Sequence, residues 1–370
     1  MTPLIKQRDL MEKLITAMDG SKNIKVRCPS TVKSYCKSLR TVANKIDAYV
    51  KEDDETVFDY IKLGDTKLVL DAIKPVKKST QKSYLEALVA VLTFQDQKLY
   101  KPSIDIYRKQ KEVDRKEIDK QYKNNVLSDK QKCEWMDSDE LQKCCVNYFE
   151  KQVKDILEKG TPITKKLDQA KLNNYVIGLL YGGQYLPPRR REYNNVKNIK
   201  IKLYNDLKEN NKLMGDNYMI LTSKQAFFSF GDYKTVNAKG YGVQRIDIPP
   251  ELKIKLKAIK KVSGNSEFLL PRPDKFEAHI SKNGIGKAIP SCMKKCCKKA
   301  ICSQTLRNIY TTYKFKQMIS TNDKERIAFQ MGTSLKELEQ VYNKYMKNEP
   351  IPESEELLDD DYNSDSETDE

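Results

Sequence analysis

The chain has 370 residues, 39% of them hydrophobic, enough for one or two ordinary cores, so two domains are expected. Its 68 Lys+Arg against 52 Asp+Glu give a formal net charge of +16, a balance that suits a polyanionic partner. The longest apolar run, 87–92, is far too short for a bilayer, the N-terminus has no apolar signal-peptide core, and the nine cysteines are an odd number set mostly in helical patterns, so a membrane protein and a disulfide framework are excluded and a soluble, intracellular protein with reduced thiols is expected.

From Ser30 the apolar residues Val32, Tyr35, Cys36, Leu39, Val42, Ala43 and Ile46 recur at three and four, which predicts a helix, with Lys33, Lys37 and Arg40 on other faces as candidate DNA contacts. A second helix is predicted over 80–94. With the stretch 57–73 these make an all-helical, basic domain over residues 1–106. Residues 107–136 are mostly charged and read as an exposed helix or linker. The second domain, 137–350, opens with helical patterns at 138–157 and 167–181, the latter stopped by Gly182-Gly183. Strands are expected at 198–204, 218–221 and 226–230. Asp232-Tyr-Lys-Thr235 and 243–248 flank a glycine-containing turn at 239–242 and read as a hairpin. Helices resume after Pro250, with starts at Ser303, Asn322 and Ser334. The last carries a capping-box pattern with Glu337 and places Leu335, Leu338, Val341, Tyr342 and Tyr345 on one face. The fold expected is therefore mainly α with a small β-sheet or hairpin in the second domain.

Residues 351–370 form an acidic tail. It has ten Asp and Glu from Glu353 onward and no Lys or Arg, so the body before it carries about +26. Such a segment buries too little apolar surface to fold alone. It can compete with DNA for the basic body, and Ser364, Ser366 and Thr368 are candidate phosphorylation sites. Cys292, Cys296, Cys297 and Cys302 lack the paired C-x-x-C spacing and any neighbouring histidine, and are read as helix-face packing rather than as a zinc site.

Three segments have the residue types that phosphoryl transfer needs, namely cations around a phosphate, a nucleophile and an acid for the leaving oxygen. Leu186-Pro-Pro-Arg-Arg-Arg-Glu-Tyr193 places three arginines after a double proline that tends to open a helix, whose N-terminus would help to hold an anion. Lys234 lies beside the glycine turn. Arg307, in Gln304-Thr-Leu-Arg307, stands next to an apolar helical stripe, where arginines commonly snorkel.

In order and spacing these segments resemble the conserved boxes of the tyrosine recombinase (phage integrase) family. Pro-Pro-Arg-Arg-Arg resembles the first arginine box, Tyr-Lys-Thr before the glycine turn the hairpin lysine, and Gln304-Thr-Leu-Arg307 the His-x-Leu-Arg box. Met331-Gly-Thr-Ser334 stands where the family has Leu-Gly-His-Ser, and Tyr342 lies nine residues after Thr333, the family's spacing for its tyrosine. The N-terminal domain is similar in general kind to the family's core-binding domain. The resemblance implies that Tyr342 attacks a DNA phosphate to form a 3′-phosphotyrosine link, with no metal or nucleotide. Arg307 and either Arg189 or Arg190 would bind the non-bridging oxygens, Lys234 would protonate the 5′ oxygen, and Gln304 and Thr333 would stand at the two histidine positions. Neither can accept a proton as imidazole does. The only histidine, His279, lies outside these boxes and is read as structural or exposed. The implied partner is double-stranded DNA, gripped by a homo-tetramer on two duplexes. A type IB topoisomerase, or a catalytically impaired DNA-binding protein of the same fold, is the competing reading, and Tyr345 is the rival nucleophile. The branch found in large DNA viruses and mobile elements, and hence a nucleus or viral factory, is the expected setting.

Overall fold

The computed structural model describes residues 4–6, 29–52, 55–123, 126–238, 241–264 and 266–344. Tyr345, the acidic tail at 351–370 and part of the glycine turn at 239–240 lie outside them. The chain divides into two compact units, 1–124 and 125–370.

The first unit is not all helical. Strands β1 (Leu4–Lys6), β2 (Tyr49–Glu52) and β3 (Glu55–Asp59) form an antiparallel sheet in the order β1-β3-β2. Around it stand helices α1 (Pro29–Lys45), α2 (Tyr60–Gly64), α3 (Thr66–Ile73), α4 (Lys78–Asp96) and α5 (Lys101–Lys123). On α1 the periodic residues Val32, Cys36, Leu39, Val42 and Ala43 are buried, and Lys33, Lys37 and Arg40 are exposed, as the 3.6 repeat requires. Asp59 and Asp65 accept backbone N–H groups at the starts of α2 and α3, caps worth about 1 kcal/mol each.

Most of the segment read as an exposed helix or linker belongs to this unit, as a helix that is only partly exposed. Helix α5 packs along α4 and buries Ile104, Tyr107 and Asp114. The Tyr107 hydroxyl donates to Leu63 O at 2.8 Å, and the Asp114 carboxylate is held by Lys78 Nζ at 3.1 Å and Gln110 Nε2 at 3.0 Å. A buried carboxylate without such partners would be strongly destabilising.

The second unit is α+β. After a capped turn, α6 (Asp129–Glu134), come α7 (Ser138–Lys159) and α8 (Lys166–Tyr181). Helix α8 is buried on almost every side, through Leu172, Tyr175, Val176, Ile177, Leu179, Leu180 and Tyr181. A four-stranded sheet follows in the order β4-β5-β6-β7, from β4 (Val196–Asn198), β5 (Asn217–Leu221), β6 (Ala226–Phe230) and β7 (Gln244–Asp247). The β4/β5 pair is parallel and the others antiparallel. The strand expected at 198–204 is instead the end of β4 followed by a helix, α9 (Ile201–Glu209), whose Tyr204 packs edge-on against Phe227. Residues 232–235 are not a strand either. The hairpin pairs β6 with β7, and Lys234 lies in the connection between them.

Helix α10 (Pro250–Val262), the short hairpin β8 (Pro271–Arg272) and β9 (Lys275–His279), and helices α11 (Lys282–Cys297), α12 (Ser303–Lys316) and α13 (Thr321–Met331) complete the unit. A single turn, α14 (Leu335–Glu337), then runs into a wide π-type turn over Leu338–Tyr342. His279 stacks edge-on with Phe268 and bonds through Nδ1 to Ile280 O, a structural setting. Among the described residues no helix is long and apolar enough to cross a membrane.

Candidate active site

The double proline opens no helix. Residues 187–191 are irregular and lead into a short 3₁₀ turn, Glu192–Asn195, so adjacent arginines point in different directions. Arg189 points inward and is fully buried. Its Nη1 donates to Gln330 O at 2.6 Å and its Nη2 to Gln244 Oε1 at 3.1 Å, and its guanidinium lies 4.1 Å over the Phe230 ring. It ties the 187–191 segment to β7 and to the end of α13. Gly332 makes room for it: with φ +63° the residue ends α13 in the left-handed region, and a Cβ there would fall 2.6 Å from Arg189 Nη2.

Arg190 points the other way. Nη1 donates to Gly332 O at 3.3 Å, and Nη2 donates to Glu337 Oε1 at 3.1 Å and to the Tyr342 hydroxyl at 3.0 Å. The other carboxylate oxygen of Glu337 accepts from Thr333 Oγ1 at 3.1 Å. The capping box is thus half made: Ser334 Oγ takes the Glu337 amide, but the Glu337 side chain turns to Arg190 and Thr333 instead of back to the cap.

Arg307 does not snorkel. Helix α12 is buried without interruption from Thr305 to Thr312, and Arg307 within it is 0% exposed. Its guanidinium lies 4.2 Å over the ring of Tyr342, and none of its three nitrogens has a hydrogen-bond partner. Burial pulls it down from 12.5 to about 10; the Tyr342 phenolate would raise it, and Arg190 lowers it further. It stays charged at neutral pH, with five N–H donors unused. Tyr342 is 1% exposed, and burial pushes its phenol above the ordinary value, while Arg307 and Arg190 pull it back and Glu337 adds to the rise.

Arg190, Arg307, Thr333 and Tyr342 therefore meet, and Arg189 supports them from behind. Lys234 and Gln304 do not join the contact. Lys234 is exposed, although its neighbour Thr235 donates to Gly332 O at 3.4 Å, the carbonyl that also takes Arg190. Gln304 is exposed one turn before Arg307, with its amide 3.5 Å from Asn308 Oδ1. Glu337 is the member that sequence reasoning missed as a site residue, because its position three after Ser334 was accounted for by capping; its place four after Thr333 was the available signal. The cluster holds two guanidiniums, one of them without an acceptor, beside a phenol and a carboxylate, and so has donors that an anion could take and a hydroxyl next to them. No protein-family model matches the chain, and neither a curated protein nor a solved structure matches it.

Proposed function

We propose that the chain is a DNA strand-exchange enzyme of the tyrosine recombinase kind, which cleaves and rejoins DNA through a phosphotyrosine bond at Tyr342. The observation that carries this reading is Arg307, a fully buried guanidinium with no acceptor, lying against the ring of the tyrosine that the family spacing selects. A buried charge is retained at such cost where a ligand completes it, and a phosphodiester has the oxygens to do so.

In this mechanism the non-bridging oxygens of the scissile phosphate take the donors of Arg307 and of Arg190. The Tyr342 oxygen attacks phosphorus, the bond to the 5′ oxygen breaks, and a 3′-phosphotyrosyl ester forms. Lys234, on its exposed connection, gives a proton to the departing 5′ oxygen. With no histidine at either family position, Glu337 is the base: when Arg190 turns its Nη2, now shared by Glu337 and the Tyr342 hydroxyl, to the phosphate, the freed carboxylate takes the phenol proton. The ring of Tyr342 covers Arg307, so the 338–344 segment shifts as the phosphate enters. Lys33, Lys37 and Arg40 on α1 add backbone contacts with duplex DNA, and a tetramer on two duplexes is the assembly that strand exchange needs.

The test is covalent trapping with nicked suicide duplexes. An adduct that resists denaturation, formed by the wild type and absent from Tyr342→Phe, is the expected result. An adduct that survives Tyr342→Phe refutes the assignment and moves the nucleophile to another tyrosine, Tyr345 first. One observation favours a second reading, a DNA-binding protein that has lost the chemistry: Tyr342 is buried with its hydroxyl already bonded to Arg190. Tight duplex binding with no adduct on any substrate selects that reading.

A further inference from the structure

Two helices of the second unit each carry a pair of adjacent cysteines, and the pairs meet. Cys144 and Cys145 lie on α7; Cys296 and Cys297 end α11. Cys145 Sγ is 3.9 Å from Cys296 Sγ, Cys296 Sγ is 3.2 Å from Cys297 Sγ, and the three sulfurs all lie within 4.8 Å of one another. The Cys144 thiol interacts with that of Cys297, and none of the four is in a disulfide. Cys145 and Cys297 are buried, whereas Cys144 and Cys296 are half-buried and leave a way in. Of Cys292, Cys296, Cys297 and Cys302, which the sequence reads as helix-face packing, two stand apart from this group. Cys292 turns to Asn174 O and Cys302 to Thr305 Oγ1, each with an oxygen partner of its own.

A tetrahedral ion with metal–sulfur bonds of about 2.3 Å holds its sulfurs roughly 3.8 Å apart, inside the range seen among these three. A set made only of sulfur selects soft or borderline cations over magnesium and calcium. We propose that Cys145, Cys296 and Cys297 bind one Zn²⁺, with Cys144 at the fourth position, each thiol giving up its proton on binding. The ion pins the end of α11 to α7. Residues 298–302 then lead directly into α12, so the metal anchors the base of the helix that carries Arg307. A site with four protein ligands has no open position and takes no part in phosphoryl transfer.

The experiment uses the full chain, reduced and stripped of metal, titrated with Co²⁺ and followed by thiolate-to-cobalt charge transfer and by the strong visible bands of tetrahedral cobalt. The expected result is saturation at one Co²⁺ per chain, bleaching by added Zn²⁺, and an unchanged signal in Cys302→Ser and Cys133→Ser. In Cys145→Ser/Cys297→Ser affinity falls by at least about tenfold, the loss that even supporting groups of metal sites produce. Should that double variant not fold, Cys296→Ser serves in its place, and the wild type gives a second readout: its unfolding midpoint rises with Zn²⁺ and not with Mg²⁺. Absence of tetrahedral cobalt at one equivalent, or the same spectrum in the cysteine variants, overturns the proposal. So does a Cys145–Cys296 disulfide found by mass spectrometry together with no metal uptake after reduction. None of these outcomes depends on DNA cleavage.

Discussion

Replacing Arg307 by methionine removes a charge that the fold holds without an acceptor. The depression from 12.5 to about 10 means that the folded protein disfavours the charged form by about 3 kcal/mol, at roughly 1.4 kcal/mol per tenfold change. A base whose folded value lies below its unfolded one binds fewer protons when folded between those two values, so stability rises with pH through that window and the cost is present in full at pH 7. Methionine removes it and fills much of the same volume, but gives up the stacking over Tyr342, worth about 0.5–2 kcal/mol. The expected net gain is about 1–2 kcal/mol, or about 2–8 °C for a unit of this size. Thermal unfolding by circular dichroism at pH 7, in a buffer free of phosphate and sulfate, measures it. Added inorganic phosphate then separates the proteins further: the wild type is stabilised by about 2.7 kcal/mol at a hundred times its dissociation constant, and Arg307→Met is not. A variant that melts several degrees below the wild type would show that the Arg307 charge is already satisfied, and would remove the main support for an anion site.

Gly332→Ala forces a side chain into the left-handed region and onto Arg189 Nη2, and a loss of at least about 1–2 kcal/mol in urea unfolding is expected; an unchanged midpoint would mean that α13 ends differently. Arg189→Met strands the Gln330 carbonyl and Gln244, for a loss of about 2–4 kcal/mol, whereas Arg190→Met changes stability by less than about 1 kcal/mol yet abolishes the tyrosine adduct. Equal effects of the two on stability would contradict the division between supporting and binding arginine. Tyr175 and Tyr310 are both pushed up to about 12, chiefly by burial, so the stability they contribute is intact below pH 10 and is lost as pH rises toward 12. Unfolding midpoints taken from pH 8 to 12 should fall above 10, and a flat profile would refute the burial of these phenols.

Helices α1, α4 and α7 were legible because each carries a long apolar period, most of whose members are buried, and α8 because an apolar run buried on nearly every side stops at Gly182-Gly183. Helix α5 was read as an exposed helix or linker because its sequence is mostly charged, and one of its buried residues, Asp114, is a carboxylate that counts as a surface residue until Lys78 is seen beside it. The sheet of the first unit pairs β3 with β1, more than forty residues before it in sequence, which local patterning does not encode. In the site, spacing picked out Arg307 and Tyr342. It could not separate Arg189 from Arg190, because in an irregular segment the direction of each side chain is set by what surrounds it. The meeting of Cys145 with Cys296, 151 residues apart, was hidden for the same reason.

The carbonyl of Gly332 accepts from both Arg190 and Thr235. One peptide plane is therefore a common latch for two segments that are far apart in the chain. Rotating it would break the Nη1 bond of Arg190 and the hydroxyl bond of Thr235 in a single motion, leaving Arg190 held by Glu337 and Tyr342. Glycine at this position makes the peptide the easiest in its neighbourhood to turn. The same residue that leaves space for Arg189 thus ties the placement of Arg190 to that of the connection between β6 and β7.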